Sequence, residues 1–150
     1  IMRGYLNQPE ETADYIDSEA WYHTGDVGYV DEEGFFFIVD RVKELIKYKA
    51  MQVSPAELEA LLVTHPAIVD TAVIPSPDEE AGEIPKAIVV LKEPEAASDE
   101  MADEIMAFVA DNVAPHKRVR LLDFAEQIPK SASGKILRRV LVEAERSRNG

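Results

Sequence analysis

The chain has no cysteine, which excludes disulfide staples, thiolate metal sites and a cysteine nucleophile and fits a reducing, cytoplasmic setting. Its histidines, His23, His65 and His116, are too scattered for a ligand-like spacing, and no metal site is expected from them. No apolar run approaches the roughly 20 residues that a membrane span needs, and the first residues lack the apolar stretch of a signal peptide. Cations are scarce as well: 16 Lys and Arg face 29 Asp and Glu, a formal charge of -13. Such a chain is no general binder of nucleic acid or anionic membrane, because neutralised phosphates supply most of the non-specific affinity for both. Any anionic ligand must therefore meet cations placed locally.

A length of 150 residues suits one ordinary domain, or a compact domain with an appendage, able to bury a core without covalent staples. The chain opens on Ile1-Met2-Arg3-Gly4 and runs straight into structured-looking sequence, so a piece of a longer chain is expected. Within it the charge changes abruptly. The first 40 residues hold ten acids and a single cation, Arg3, after which Arg41, Lys43, Lys47 and Lys49 put four cations into nine residues. The step coincides with Val39-Asp40-Arg41-Val42-Lys43, where an apolar run over 35–39 stops. This pattern predicts a joint between two bodies, 1–40 and 41–150.

In the first body, Asn7-Gln8-Pro9-Glu10-Glu11 reads as a helix start, with proline early and acids at the positive helix end. Residues 21–24, 27–30 and 35–39 read as β segments, the last two joined by the loop Asp31-Glu32-Glu33-Gly34. One helix and a hairpin cannot bury their own apolar faces, so a partner surface is expected.

The second body alternates strands and helices, an α+β two-layer fold with about three helices. Short strands flank Lys49-Ala50. Ser54-Pro55-Ala56-Glu57 is a capping box opening a helix with Leu58, Leu61 and Leu62 inward, ended by His65-Pro66. Strands are predicted at 68–74, 87–91 and 119–122, with an acidic loop over 76–83. A helix over 99–112, capped by Ser98, turns Met101, Ile105, Phe108 and Val109 inward. A last helix over 136–146 carries Leu137, Val140, Leu141 and Ala144 on one face.

Two constellations carry chemistry. Thr24-Gly25-Asp26 is a polar tight turn between strands, and a carboxylate accepting two hydrogen bonds suits a vicinal diol such as a ribose. Ile128-Pro129-Lys130-Ser131-Ala132-Ser133-Gly134-Lys135 reads as a mobile loop of small residues that meets a helix at Lys135, whose compact charge can swing onto a phosphate or carboxylate. It is not a nucleotide-cradling P-loop: no glycine lies five residues before Gly134, and Ile136 stands where Ser or Thr is needed.

Taken together, Tyr22-His23-Thr24-Gly25-Asp26-Val27-Gly28, the run Asp40 through Lys49, Gln52-Val53-Ser54-Pro55-Ala56-Glu57-Leu58-Glu59, and Pro129-Lys130-Ser131 with Ser133-Gly134-Lys135 resemble the C-terminal third of the adenylate-forming enzymes. The branch resembled holds 4-coumarate:CoA ligase, fatty acyl-CoA ligases and beetle luciferase. The resemblance runs nearly end to end, with four motifs in order. It implies that 1–40 is the end of a large N-terminal adenylation domain and 41–150 the mobile C-terminal domain.

That family joins a carboxylic acid to ATP, releasing pyrophosphate, and then exchanges AMP for a thiol, usually coenzyme A. The small domain turns about a hinge between the two steps. By resemblance Lys43 matches the hinge, Asp26 and Arg41 lie at the ribose, and Lys135 reaches the α-phosphate and substrate carboxylate. Lys47 and Gln52 face the adenylate after the turn, while Lys49 and Ala50 line the coenzyme A entry. The family has glycine where this chain has Ala50, and a methyl there can narrow the passage or disfavour a positive φ. No phosphate loop or acid pocket occurs in these residues; magnesium would accompany ATP, with its ligands in the missing domain. A luciferase-like oxygenase, or a separate binding module with Lys135 as an acylation target, are the alternatives.

From this reading the chain by itself should catalyse nothing. Incubated with ATP, pyrophosphate and candidate acids, it should give no acid-dependent ATP–pyrophosphate exchange; exchange above background would contradict the assignment.

Overall fold

The computed structural model describes residues 2–149, which form two compact units, Ile1–Lys43 and Glu44–Gly150. In the first, α1 (Pro9–Tyr15) begins on its proline, with Glu10 and Glu11 in the first turn. The strand expected over 21–24 is reduced to a single bridge, Ile16 to Tyr22. Asp17 explains the difference. Its carboxylate accepts from the Glu19 and Trp21 backbone N–H groups, each at 2.9 Å, and meets His23 Nε2 at 2.9 Å. Side-chain capture of this kind competes with a strand ladder. The bond from His23 and then the one from Trp21 hold the Asp17 carboxyl below its usual range.

β1 (Asp26–Val30) and β2 (Phe36–Arg41) form an antiparallel ribbon running from Asp26↔Arg41 to Val30↔Phe36. Gly28 is required by close approach: a Cβ there would lie 2.6 Å from the Phe37 carbonyl oxygen. The strand starts one residue later than expected because Asp31 Oδ1 captures the Phe35 N–H at 2.9 Å and closes the turn. Within the unit the ribbon stays open, with Phe36 82% and Ile38 67% exposed.

A short 3-10 turn, Val42–Glu44, leads into the second unit. Its elements are β3 (Ile46–Tyr48), β4 (Met51–Val53), α2 (Pro55–Leu62), β5 (Ile68–Asp78), β6 (Gly82–Leu91), α3 (Asp99–Asn112), β7 (Leu121–Phe124) and α4 (Arg138–Asn149). The sheet order is β4-β3-β6-β5, and β7 joins β6 in parallel. The caps are as the sequence predicts. Ser54 Oγ accepts from the Glu57 N–H at 3.3 Å and Ser98 Oγ from the Met101 N–H at 3.2 Å.

β5 and β6 are buried on both sides, which is why they read as continuous apolar runs. On one side Val73, Ala87 and Val89 meet Leu58 and Leu62 of α2 and Ile105 and Val109 of α3. On the other, Ala72, Ile74 and Ile88 meet Ile128, with Leu141 and Val142 of α4 packed against them. No helix among the described residues is long and apolar enough to cross a membrane.

Two expectations for this unit are corrected. The 76–83 loop is only a three-residue turn, because the strands continue to Asp78 and resume at Gly82, in register Asp78↔Gly82. Pro75 and Pro77 are tolerated since β5 is an edge strand. The expected apolar face of the last helix is also wrong: Leu137 and Val140 are exposed, as is Ala144.

The inward line of α4 instead carries Glu145, 2% exposed. Ser76 Oγ donates to one of its oxygens at 2.8 Å, and Lys86 Nζ, itself 6% exposed, donates to the other at 2.8 Å. Lys86 also lies 2.9 Å from Asp123, and Arg148 bonds both Asp123 and Glu145. Truncating one member leaves buried charge without its partner, so Lys86→Met should cost about 3–5 kcal/mol in urea unfolding. Adding Glu145→Leu should recover much of that loss; a double variant as unstable as the single one would show that the ion pair is not the source.

Candidate functional site

In the first unit the ribbon register sets Asp26 opposite Arg41, with Arg41 Nε 3.3 Å from Asp26 Oδ1. Gly25, at φ +73°, makes the turn that delivers Asp26, and Thr24 Oγ1 accepts the Asp26 N–H at 3.1 Å. The Val42 N–H donates to the Gly25 carbonyl at 2.9 Å, closing this end of the ribbon. Asp26 is half-buried and Arg41 exposed. A carboxylate holds about four lone-pair sites, so with Arg41 on Oδ1 it can still accept two hydroxyls. Lys43 Nζ lies 3.4 Å from the Tyr15 hydroxyl and 5.8 Å from its ring centroid.

In the second unit Lys47 and Gln52 are direct partners across the β3–β4 hairpin, which puts their side chains on one face. Both are exposed. The Lys47 N–H donates to Glu83 Oε2 at 2.8 Å, and Ile46 beside it is fully buried, so the backbone that carries Lys47 is held from two sides. Lys49 and Ala50 form the two-residue turn.

Here the structure corrects an expectation. The positive φ, +53°, falls on Lys49 and not on Ala50. The Lys49 N–H is committed to the Ala81 carbonyl at 2.8 Å, and its ammonium to Glu80 at 2.8 Å. The hydrogen bond that Lys49 donates to Glu80, and then the Glu80 charge, push the Lys49 pKa up. Glycine at 50 is therefore not demanded by backbone conformation; what a methyl at 50 alters is the space above the turn.

Lys135 stands apart from that hairpin in sequence and element. The expected mobile loop is a tight hydrogen-bonded turn. Lys130 and Ile136 bridge its base, the Ser131 N–H donates to the Lys135 carbonyl at 2.8 Å, and the Gly134 N–H to the Ser131 carbonyl at 2.9 Å. Ser131 Oγ accepts the Lys135 N–H at 3.2 Å, and Gly134 takes φ +81°. Lys130 Nζ pairs with Asp70 at 2.6 Å, fixing the entry. The helix begins at Arg138 and not at 136, because Ile136 is used in the bridge and the Leu137 N–H donates back to Pro129. Lys135 itself is exposed, and among the described residues its ammonium has no ion-pair partner.

The structure thus brings Asp26 and Arg41 together at one ribbon end, near in sequence to Lys43, and Lys47, Gln52, Lys49 and Ala50 together on one hairpin. It leaves Lys135 on a separate loop. Sequence reading missed the charged groups that hold these elements, Arg138 above all. The available signal was spacing: Arg138, Leu141, Val142 and Glu145 fall on one helical stripe, a charge at each end of an apolar pair.

Three comparisons bear on this arrangement. The family model described as the AMP-binding enzyme C-terminal domain matches residues 57–135. The chain is 58% identical over 141 residues to a 4-coumarate–CoA ligase-like protein 1 of Arabidopsis thaliana, covering 94% of this chain and 26% of that protein. It is 56% identical over 143 residues to a peroxisomal OPC-8:0-CoA ligase 1 of the same plant, covering 95% and 26%. Among solved structures, an ATP-bound RpMatB–BxBclM chimera superposes with a TM-score of 0.90 at 34% identity, over 96% of this chain and 28% of the chimera. The chain spans about a quarter of the length of these curated relatives.

Since φ at Ala50 is one that alanine accepts, Ala50→Gly should only add freedom to the unfolded chain and lower stability by about 0.4–1 kcal/mol. A urea midpoint that rises instead would return the positive-φ demand to residue 50.

Proposed function

The chain belongs to the AMP-binding enzyme C-terminal domain family, and from that membership we propose that it is the mobile catalytic part of an ATP-dependent, AMP-forming acid–CoA ligase. In the first step a carboxylate oxygen attacks the α-phosphorus of ATP and the bond to pyrophosphate breaks, leaving an acyl adenylate. In the second a thiolate attacks the acyl carbon, and AMP departs with the electron pair of the broken C–O bond. Two relatives carry the names of CoA ligases, which supports a carboxylic acid, ATP and coenzyme A as substrates. The phosphate loop, the acid pocket and the groups for magnesium are assigned to the N-terminal adenylation domain, outside the quarter of those relatives that this chain spans.

Within this reading Asp26 accepts the two ribose hydroxyls, and Arg41, against its Oδ1, holds the carboxylate in place beside them. Lys135 brings an unpaired ammonium to the α-phosphate and the substrate carboxylate, neutralising charge as it gathers in a site closed to water. Lys47 and Gln52 serve the second step from their shared face of the hairpin, and Lys49 and Ala50 border the pantetheine passage. The turn between steps takes place at Lys43, which ends the first compact unit. A chain without cysteine suits a reducing compartment, which supports the cytoplasm within this reading.

The observation that carries the reading is the separation of the lysines: Lys135 on its closed turn and Lys47 opposite Gln52 belong to different elements of one unit. Two steps served by one body that turns require such an arrangement. Removing a single donor that acts in a transition state typically costs about 100- to 1000-fold in rate. In the full-length protein Lys135→Ala should therefore slow adenylation by that order and slow conversion of supplied acyl adenylate to thioester far less, whereas Lys47→Ala should weigh on the second step. Lys43→Pro should favour one orientation, since proline fixes φ where the chain must turn. Single-turnover measurement of each half-reaction decides: if Lys135→Ala slows both alike, the alternating assignment is wrong.

A further inference from the structure

Arg138, the first residue of α4, lies three positions beyond Lys135 and is 14% exposed. Its guanidinium is spent entirely on holding. Nε donates to Glu44 Oε2 at 3.0 Å, one terminal nitrogen donates to the Val73 carbonyl at 2.7 Å and to Glu59 Oε1, and the other reaches Glu59 Oε2 at 3.3 Å. Glu59 Oε1 also accepts the Val73 N–H at 2.8 Å. Both backbone groups of Val73, on the open edge of β5, are thereby satisfied by an arginine from α4 and a glutamate from α2. Glu44, the third anchor, is the residue directly after Lys43.

We infer that Arg138 is a positioning residue for Lys135: its fork across Glu59, Val73 and Glu44 fixes the start of α4, and with it the point from which the Lys135 ammonium reaches its target. The inference rests on the adenylation role proposed for Lys135. The loop around Lys135 is tied to the sheet at its entry by Lys130 and Asp70 and at its exit by Arg138. Lys47 depends on it less, since Arg138 reaches its segment only through Glu44, three residues upstream. Its strand is held by the ladder to β4, by buried Ile46 and by Glu83. A fault at Arg138 therefore displaces one lysine and spares the other, and an exit shifted by about 1 Å can cost on the order of 100-fold in the step that lysine serves.

Burial works against the charge of Arg138, but the hydrogen bonds and charges of Glu59 and then Glu44 outweigh it and hold its pKa above the usual arginine range. The guanidinium thus keeps its charge throughout the working pH range. Lysine cannot replace it, because an ammonium is a point charge and cannot span three acceptors on three elements.

The test is a cycle in the full-length protein, combining Arg138→Lys with Lys135→Ala, with adenylation and thioester formation measured separately in single turnovers. Arg138→Lys should slow adenylation about 10- to 100-fold and thioester formation from supplied adenylate by less than about twofold. Added to Lys135→Ala it should slow adenylation by less than about a further twofold, because a positioning residue has nothing left to position. A merely structural role gives a different pattern: both half-reactions fall together, or the adenylation loss persists undiminished in the Lys135→Ala background, and either overturns the inference. If Lys135→Ala alone leaves adenylation untouched, the role assigned to Lys135 fails and takes the inference with it. If Lys135→Ala is slow but the losses multiply, only the inference fails. Should Arg138→Lys not fold, Glu44→Ala removes the Nε acceptor alone and must give the same selective, non-additive pattern on a smaller scale; equal loss in both half-reactions would again rule the inference out.

Discussion

The second unit depends on a carboxylate that is almost wholly removed from water. Glu145 sits two turns along α4 from Arg138, meets Ser76 of β5, Lys86 of β6 and Arg148 of its own helix, and shares Lys86 and Arg148 with Asp123 of β7. Desolvating these charges is costly, and only a full set of hydrogen bonds offsets it. That condition fixes the helix in one register. The apolar contacts of α4, Leu141 and Val142 against the Ala72, Ile74 and Ile88 face, are few enough that they would tolerate a slide or a rotation. A buried ion cluster with three strands as partners does not.

The same rule operates at the other end of α4. Arg138 joins the helix start to α2 and to the edge of β5, so the helix is pinned by charge at both ends and by hydrocarbon between. This inverts the usual division in which hydrocarbon fixes the core and charge decorates the surface. It also explains why the sequence misled at this helix. A stripe chosen by apolar residues alone selects Leu137, Val140, Leu141 and Ala144, three of which face water; the stripe that is buried begins and ends on a charge. Elsewhere local chemistry was enough. Both capped helices are legible because a cap is decided within four residues, and α3 spans the expected range.

Reading failed where a distant or competing partner decided the outcome. The 76–83 stretch looks like a loop, with its acids and its proline, yet it pairs across β5 and β6 nearly to its tip because an edge strand needs no donor on its open side. Residues 21–24 look like a strand, yet Asp17 takes both backbone groups of Trp21 that a ladder would use, the N–H on its carboxylate and the carbonyl on its own N–H. The candidate site divides in the same way. Its candidate side chains are recognisable from type and order, since most of them present an unburied polar group; the residues that hold their elements, Arg138, Glu59 and Glu44, look like ordinary surface charges until the fold brings them together.

Charge distribution gives these placements their functional sense. The chain carries a net charge of -13, so at a distance its field repels any anionic ligand. Screening limits that repulsion to about 8 Å at physiological ionic strength, and inside that range individual groups decide. Most of the cations with work to do in the fold are already neutralised: Lys49 by Glu80, Lys117 by Glu57, Lys130 by Asp70, and Lys86, Arg138 and Arg148 within their clusters. Lys47 and Lys135, like Lys43 and Lys92, are exposed and have ammonium groups without ion-pair partners among the described residues; Lys43 and Lys92 spend theirs on the Tyr15 hydroxyl and the Pro66 carbonyl. An ammonium left without a carboxylate in so acidic a protein is open to a charge from outside. Because Lys47 and Lys135 are each carried on backbone fixed by hydrogen bonds, little ordering remains to be done when that charge arrives. Under the function proposed above, it is the rigidity of the body around these two side chains, more than their own chemistry, that would let one domain serve two steps.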